Sequence, residues 1–313
     1  MPGNTFGTLF RVTTFGESHG PALGAVIDGC PPDIPLSVDD FLPELARRRP
    51  GQNAITTARD EQDAPELISG VFEGKTTGMP IAVIVRNHDA RPGDYAALRG
   101  TARPGHADAG YLAKYGVHDY RGGGRASGRE TVARVIAAIG EIVAKRYDSS
   151  VIEQNPVRCA DESAASRMVD YLQTLKAEGN SAGAIVEIRL ESPPRGLGEP
   201  VFDKLKADLS KALLSIGSIY GFEFGVGFGA ARMTGKDYVA DEANFGGLQG
   251  GISTGAPIRI RIAVKPASTV GQAALAGRHD PCVAPRVIPV AEAMVAIVLA
   301  DHYLRQRTLR GEV

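Results

Sequence analysis

One string occurs twice in this chain with its landmarks in step. Gly74-Lys-Thr-Thr-Gly-Met-Pro-Ile81-Ala-Val83-Ile-Val85 is echoed by Gly251-Ile-Ser-Thr-Gly-Ala-Pro-Ile258-Arg-Ile260-Arg-Ile262. Each copy reads as a glycine turn entering a strand with apolar side chains at every second position, the period of a half-buried strand. Each also lies upstream of a long apolar helical pattern. Two readings stay open: a pair of similar hairpins arising by chance, or a pseudo-duplicated core with sheets packed around a helical layer.

Other segments keep the same period. Ala184–Leu190 alternates Val186, Ile188 and Leu190 with Glu187 and Arg189, and Ile258–Val264 alternates isoleucines with Arg259 and Arg261. Residues 222–228 set large apolar side chains against Glu223, Gly225 and Gly227. Such strands pair antiparallel, with one face wet. Helical periodicity predicts helices over residues 127–147, 161–178, 201–216 and 289–304, and a further one over 38–49 after Ser37. The first opens on Ser127-Gly-Arg-Glu130, a capping-box pattern. The expected fold is therefore α+β: antiparallel sheets around a central helical layer, a β-α-β sandwich with internal pseudo-duplication. With no low-complexity linker in 313 residues, the expectation is one domain over 1–313.

Composition narrows the function. Lys and Arg number 35 against 36 Asp and Glu, so no global field favours nucleic acid or a membrane surface. Anion binding must come from local arginine clusters. Cys30, Cys159 and Cys282 are widely spaced and form no CxxC pair, which favours a reducing, cytoplasmic setting over a disulfide framework or a zinc site. Residues 1–20 lack a signal-peptide pattern. The apolar run over 287–299 is shorter than the roughly 20 residues a membrane span needs, carries Glu292, and reads as a buried helix.

Three glycine-rich stretches fail as nucleotide motifs. Gly225-Val-Gly227-Phe-Gly-Ala230 follows a strand, but no apolar-periodic helix begins after it to face a phosphate. Gly70 to Thr76 is one residue short of a P-loop, and Gly229 to Lys236 is one too long. The stronger signal is Arg121-Gly-Gly-Gly-Arg125-Ala-Ser127-Gly-Arg129-Glu130, where a glycine run and three arginines precede a capped helix start. Free N–H groups and the helix dipole favour an anion there, and arginine can grip phosphate or carboxylate with two bonds. Arg47-Arg-Arg49 reads alone as a solvated helix end, and with the first cluster as a second grip on a polyanion. Three histidines sit among polar neighbours suited to proton transfer: Ser18-His19, Arg103-Pro-Gly-His106-Ala-Asp108 and Arg278-His279-Asp280. His88, His118 and His302 read as surface or capping residues, and no histidine spacing suits a metal.

These strings, in this order, resemble the chorismate synthase family. The resemblance runs through Phe10 to Gly20, Arg47-Arg-Arg-Pro-Gly51, Gly70-Val-Phe-Glu-Gly74, Arg103 to Asp108, Asp119 to Arg125, Gly196 to Val201, Gly250 to Gly255 and Gly277 to Cys282. It implies a lyase that converts 5-enolpyruvylshikimate 3-phosphate to chorismate by anti 1,4-elimination of phosphate in the shikimate pathway. Reduced FMN is required although the reaction has no net redox change. It also implies a homotetramer with no nucleic-acid or membrane partner. By position, His19 would be the acid near the departing phosphate and His106 the group that keeps the reduced flavin in its working charge state. Asp280, Ser18 and Ser127 would help relay the ring proton. Arg48, Arg103 and Arg129 match positions that bind the substrate's anionic groups, the flavin or NADP. Arg125, Ala126, Ser127, Gly217, Ser218, Gly250, Lys265, Pro266, Ala267, Ser268, Thr269 and Arg278 would line the flavin. Departures from the pattern fall at Ala54, at Tyr220, and in shorter stretches around 147–151, 234–243 and 270–276. The alternative is an FMN-dependent oxidoreductase acting on a small anionic substrate; it would need a hydride-donor site, and no dinucleotide fingerprint is present.

Overall fold

A computed structural model describes residues 3–51, 61–89, 93, 99–139, 162–272, 274 and 279–311. It contains a five-stranded antiparallel sheet in the order β1 (Thr5–Phe6), β2 (Arg11–Gly16), β3 (Ala22–Asp28), β7 (Ile81–Arg86), β4 (Pro65–Ser69). A second antiparallel sheet has the order β8 (Ala184–Leu190), β12 (Ile258–Val264), β9 (Ile219–Phe224). Two small hairpins, β5 (Val71–Phe72) with β6 (Lys75–Thr76) and β10 (Leu248–Gln249) with β11 (Ile252–Ser253), precede the central strands β7 and β12.

The alternation does what the period requires. Leu23, Ala25 and Ile27 of β3, Ile81, Val83 and Val85 of β7, and Ile258, Ile260 and Ile262 of β12 are all buried. Each such large side chain contributes roughly 1.5–3 kcal/mol when removed from water. Helix α3 (Thr131–Ile136) packs on β3 and β7; α5 (Leu205–Leu214) packs on β9. Between them, after the short α6 (Gly235–Val239), runs α7 (Ala284–Arg310), which touches α1 (Leu42–Arg48), α3, α5 and β8. At 27 residues α7 is long and apolar enough to cross a membrane, but 78% of its apolar window is buried inside the fold. Its one buried acid is fully used: Asp301 Oδ1 accepts the backbone N–H groups of Thr8, Leu9 and Phe10 at 2.9, 2.6 and 2.9 Å.

The echoed strings share one hydrogen-bond scheme. Thr76 N donates to Ile34 O at 2.8 Å, and Ser253 N to Leu197 O at 2.9 Å. The Ile34 and Leu197 N–H groups return bonds to Thr76 Oγ1 and Ser253 Oγ, each at 2.9 Å. Those hydroxyls in turn donate to Pro31 O and Pro194 O. Thr77 and Thr254 then bond through Oγ1 to Gly70 O and Gly247 O.

Several expectations are corrected. The helix expected from residue 201 starts at Leu205, because Glu199 and Asp203 form a bridge and Phe202 is left exposed. The strand expected over 222–228 runs Ile219–Phe224, ending where Gly225 adopts φ 56° and the chain turns into a 3-10 segment. The predicted helix from Ser127 begins as 3-10 (Gly128–Glu130), continues as α3 and a further 3-10 turn (Ala137–Ile139), and then leaves the described residues. No reciprocal capping box forms there, because the Glu130 carboxylate is drawn to Arg134 Nε at 3.1 Å. The long apolar helix starts at Ala284 rather than at residue 289, with Pro285 in its first turn. His302 is buried, with Nε2 2.9 Å from Asp208 Oδ2. Helix α2 (Asp108–Tyr115) was not anticipated, whereas α4 (Glu162–Ala177) lies where expected.

Candidate active site

Gly122, Gly123 and Gly124 all have positive φ, at 69°, 86° and 52°. Three left-handed residues in succession are open only to glycine at little cost. The result is a backbone that passes close to an imidazole: a Cβ on Gly122 would lie 2.3 Å from Cε1 of His19. Buried Ser18 sets its Oγ 3.0 Å from His19 Nδ1, and its backbone N–H donates to Gly124 O at 3.4 Å. The run leads to Ser127, whose Oγ accepts the N–H of Arg129 at 3.4 Å.

Next to it lies the 103–108 loop. Arg103 grips Asp108 with Nε–Oδ2 at 2.7 Å and Nη2–Oδ1 at 2.8 Å, and its backbone N–H adds a third bond at 3.1 Å. That grip holds the Asp108 carboxyl down at a pKa of about 2. Since the two charges are locked to each other, neither stands alone beside His106. His106 Nδ1 lies 3.0 Å from Pro104 O; a carbonyl only accepts, so Nδ1 carries the proton. The loop is docked on the second sheet, where Gly105 O accepts from Lys265 Nζ at 3.3 Å and Ser268 Oγ at 3.0 Å. Lys265 N donates to Ser218 O at 2.8 Å, which brings Gly217-Ser218 to the same place. Tyr220 is exposed, its ring centroid 5.8 Å from Lys265 Nζ.

His279 joins this group. Burial pushes its imidazole's pKa down, nearby Asp280 pushes it up, and His106 and Arg103 push it further down. Asp280 is buried and accepts from Arg286 Nη1 at 2.7 Å. Arg278 lies outside the described residues, as do Ala54 and Cys159.

The remaining arginines face protein partners. Arg125 Nη2 donates to Thr14 Oγ1 at 2.6 Å and to Thr14 O at 3.2 Å. Arg48 and Arg129 are 1% and 3% exposed and share one carboxylate, Asp63. Arg48 also donates to Thr131 Oγ1 and Gly128 O. Burial, with the positive charge of Arg286, lowers its pKa to about 9 against the pull of Asp63. Both arginines are buried and held by protein carboxylates, carbonyls and amides. A cavity of about 720 Å³ runs along Gly123 and Gly124, bounded also by Glu17, Tyr111, Tyr115, Tyr120, Arg121 and Arg125. Gly250 does not join: it borders a separate cavity of about 420 Å³ with Phe224 and Tyr238. Phe224 pairs with Ile260 and Ile219 with Val264, so the cavity that Gly250 borders lies towards the end of β12 away from Lys265, Ile260 being about 16 Å from Lys265 along the strand.

Sequence reasoning missed Asp63, Glu61 and Asn87, which hold the buried arginines and the histidine turn, and Arg286, which holds Asp280. The only signal for the acids was that arginines buried in a core need carboxylate partners.

Two imidazoles, a buried hydroxyl, a paired arginine and a glycine backbone around one region of an α+β fold define an enzyme for a small anionic ligand. The comparisons specify which. The family model for chorismate synthase matches residues 10–304, and the chain belongs to that family, whose members are lyases of the shikimate pathway. It is 46% identical to the chorismate synthase of Methanosarcina mazei over 365 positions, covering 99% of this chain and all of that one. That alignment is longer than this chain, so the relative carries residues absent here. Identity to the chorismate synthase of Synechocystis sp. is 47%, over 97% of this chain and 98% of that one. A crystal structure of chorismate synthase superposes with a TM-score of 0.75 at 29% identity, covering 96% of this chain and 93% of the other. Like it, this chain combines helices with antiparallel sheets.

Proposed function

We propose that this chain converts 5-enolpyruvylshikimate 3-phosphate to chorismate and phosphate by anti 1,4-elimination, with reduced FMN bound between the glycine run and the 265–269 segment. The observation that carries this reading is the docking of the His106 loop on Lys265 and Ser268 beside the glycine run that touches His19. The residues present fit a flavin. On its glycine-run side that site borders a cavity beside Arg125 and Ala126 whose volume falls within the roughly 300–1,000 Å³ of small-ligand sites, the 265–269 segment lying outside that cavity's lining. It is walled by tyrosine rings and glycine backbone, and no atom lies within 4 Å of where a Cβ on Gly217 would stand. Lys265, Ser268, Thr269, Ser127 and Arg125 would hold the cofactor, which supplies an electron-rich ring to take up the hydrogen leaving the substrate.

The chain's own residues then have separable tasks. Ser18 fixes the His19 imidazole through Nδ1, so proton delivery to the departing phosphate falls to Nε2. His106, its Nδ1 spent on Pro104 O, holds its exchangeable position at Nε2. Asp280 relays the ring proton with Ser18 and Ser127. Arg103, oriented by Asp108, meets the substrate's anionic groups, while Arg48 and Arg129 add positive potential from behind. We further read the fold as a single-domain, pseudo-duplicated β-α-β sandwich, and the enzyme as a cytoplasmic homotetramer. Both the shared hydrogen-bond scheme of the echoed strings and the helices between the sheets support the first part.

FMN titration followed by flavin fluorescence tests the site. Lys265→Ala is expected to weaken binding about 10- to 100-fold, the loss of one charge-assisted contact. An unchanged Kd would remove the 265–269 segment from the cofactor site.

A further inference from the structure

We infer that Asn87 is a positioning residue, a clamp that holds the Ser18-His19 turn in register with the buried arginine pair; the inference rests on the proposed role of His19. Asn87 follows the last residue of β7 and is half-buried. Its side-chain amide is used at both ends. Nδ2 donates to Glu17 O at 3.0 Å and to Gly20 O at 2.8 Å, the two carbonyls that bracket Ser18 and His19. Oδ1 accepts from Arg129 Nε at 3.0 Å. Its backbone N–H donates to Pro21 O at 3.1 Å. One residue therefore grips the turn at three points and ties it to a guanidinium.

That guanidinium is itself immobile. Arg129 Nη1 bonds Asp63, Asp63 bonds Arg48 Nη1 at 3.1 Å, and Arg48 reaches back to Gly128 O at 3.1 Å, beside Arg129. Glu61 closes the set, 3.7 Å from Arg129 Nη2 and accepting the backbone N–H of His88, the residue after Asn87, at 3.1 Å. Asp63 holds φ at 49°, a left-handed conformation that aspartate, with asparagine, enters more readily than most residues. A rigid dication–carboxylate block thus stands at one end of the Asn87 amide and the histidine turn at the other. The turn's other bonds among the described residues include Gly20 N–H to Glu17 O, Ser18 N–H to Gly124 O and the side-chain contacts of Ser18 and His19. Asparagine suits the task because it alone, at this length, offers two donors and an acceptor in one plane.

The test uses Asn87→Asp, which keeps an acceptor for Arg129 but loses both donors to the turn. With reduced flavin, kcat should fall about 10- to 100-fold while KM stays within roughly twofold, the signature of a displaced group that acts in the transition state. In the His19→Ala background the same change should cause no further loss, since a residue acting through His19 has nothing left to position. Hydrogen exchange of the flavin-free protein should show the Gly20 amide, whose own bond to Glu17 O remains, exchanging about tenfold faster, because losing both Asn87 donor bonds to the turn eases its local opening. Asn87→Ala, which also releases Arg129, repeats the measurement if the carboxylate disturbs folding. Wild-type kcat in the folded variants, or an equal loss with and without His19, would overturn the inference. Wild-type turnover by His19→Ala alone would instead sink the role of His19, and Gly20 exchange would then decide whether Asn87 orders the turn.

Discussion

Gly122 is where a single methyl group reaches the imidazole of His19 first, with the Ser18 hydroxyl its next neighbour at 3.2 Å. Two costs of Gly122→Ala separate cleanly. A left-handed backbone at φ 69° is disfavoured for alanine by about 1–2 kcal/mol, and that appears as lost stability. The new Cβ would also stand 2.3 Å from His19 Cε1, so the ring must retreat by about 1 Å to regain van der Waals contact. The imidazole is the end of a flexible side chain and can move, so this second cost appears in the rate, where a misplacement of about 1 Å is worth on the order of 100-fold. Gly116→Ala is the control: its φ is 73°, but nothing lies within 4 Å of the added methyl. Both variants should lose about 1–2 kcal/mol in urea denaturation, while only Gly122→Ala loses turnover in an anaerobic phosphate-release assay with chemically reduced flavin. Equal turnover in the two variants would refute the placement of His19 against the glycine run as functional.

The remaining predictions concern the loop, the buried pair and pH. His106→Ala should cut turnover about 10²–10⁴-fold, the range for a lost proton-transfer group, with FMN affinity retained in the same fluorescence titration. Arg48→Met should destabilise the fold by about 3–5 kcal/mol in urea, because it breaks a buried ion pair. The Asp108 carboxyl is held at about 2 by Arg103, below its ordinary 3.9, so its stabilisation is present above pH ~4 and is lost as pH falls towards 2. Screening leaves that contribution at about 1–2 kcal/mol, and Asp108→Asn should flatten the acid limb of a stability–pH curve by this amount. His279 has the same sign in a higher pH window. Burial lowers its pKa, so below about pH 6.5 the unfolded chain takes up the proton first and stability rises with pH. His279→Gln should remove that slope from thermal melts.

Alternation made the strands legible, and β8 and β12 have the bounds their periods predict because each residue faces either core or solvent. Period alone could not show where Gly225 would leave the strand, since a glycine fits an alternation as readily as a turn. The start of α5 was misplaced for a related reason: Phe202 matched the helical stripe but lies in the turn closed by the Glu199–Asp203 bridge and is exposed. At the site, the glycine run and the Ser18-His19 turn could be read because their chemistry is local. Arg48 and Arg129 were legible as an anion grip but not as a buried pair, because Asp63 reaches them by tertiary packing and no spacing announces it. Asn87 was invisible for the same reason, its partners being backbone carbonyls distant in the chain.

The central claim is that phosphate leaves without net oxidation of the flavin. Anaerobic turnover of 5-enolpyruvylshikimate 3-phosphate with a known amount of reduced FMN and no nicotinamide donor measures it directly, with phosphate and chorismate quantified and the flavin spectrum recorded before and after. The account predicts phosphate and chorismate in equal amounts, many per flavin, with the spectrum fully reduced at the end. One flavin oxidised per substrate consumed, or flavin oxidation without phosphate release, would contradict it and identify an oxidoreductase.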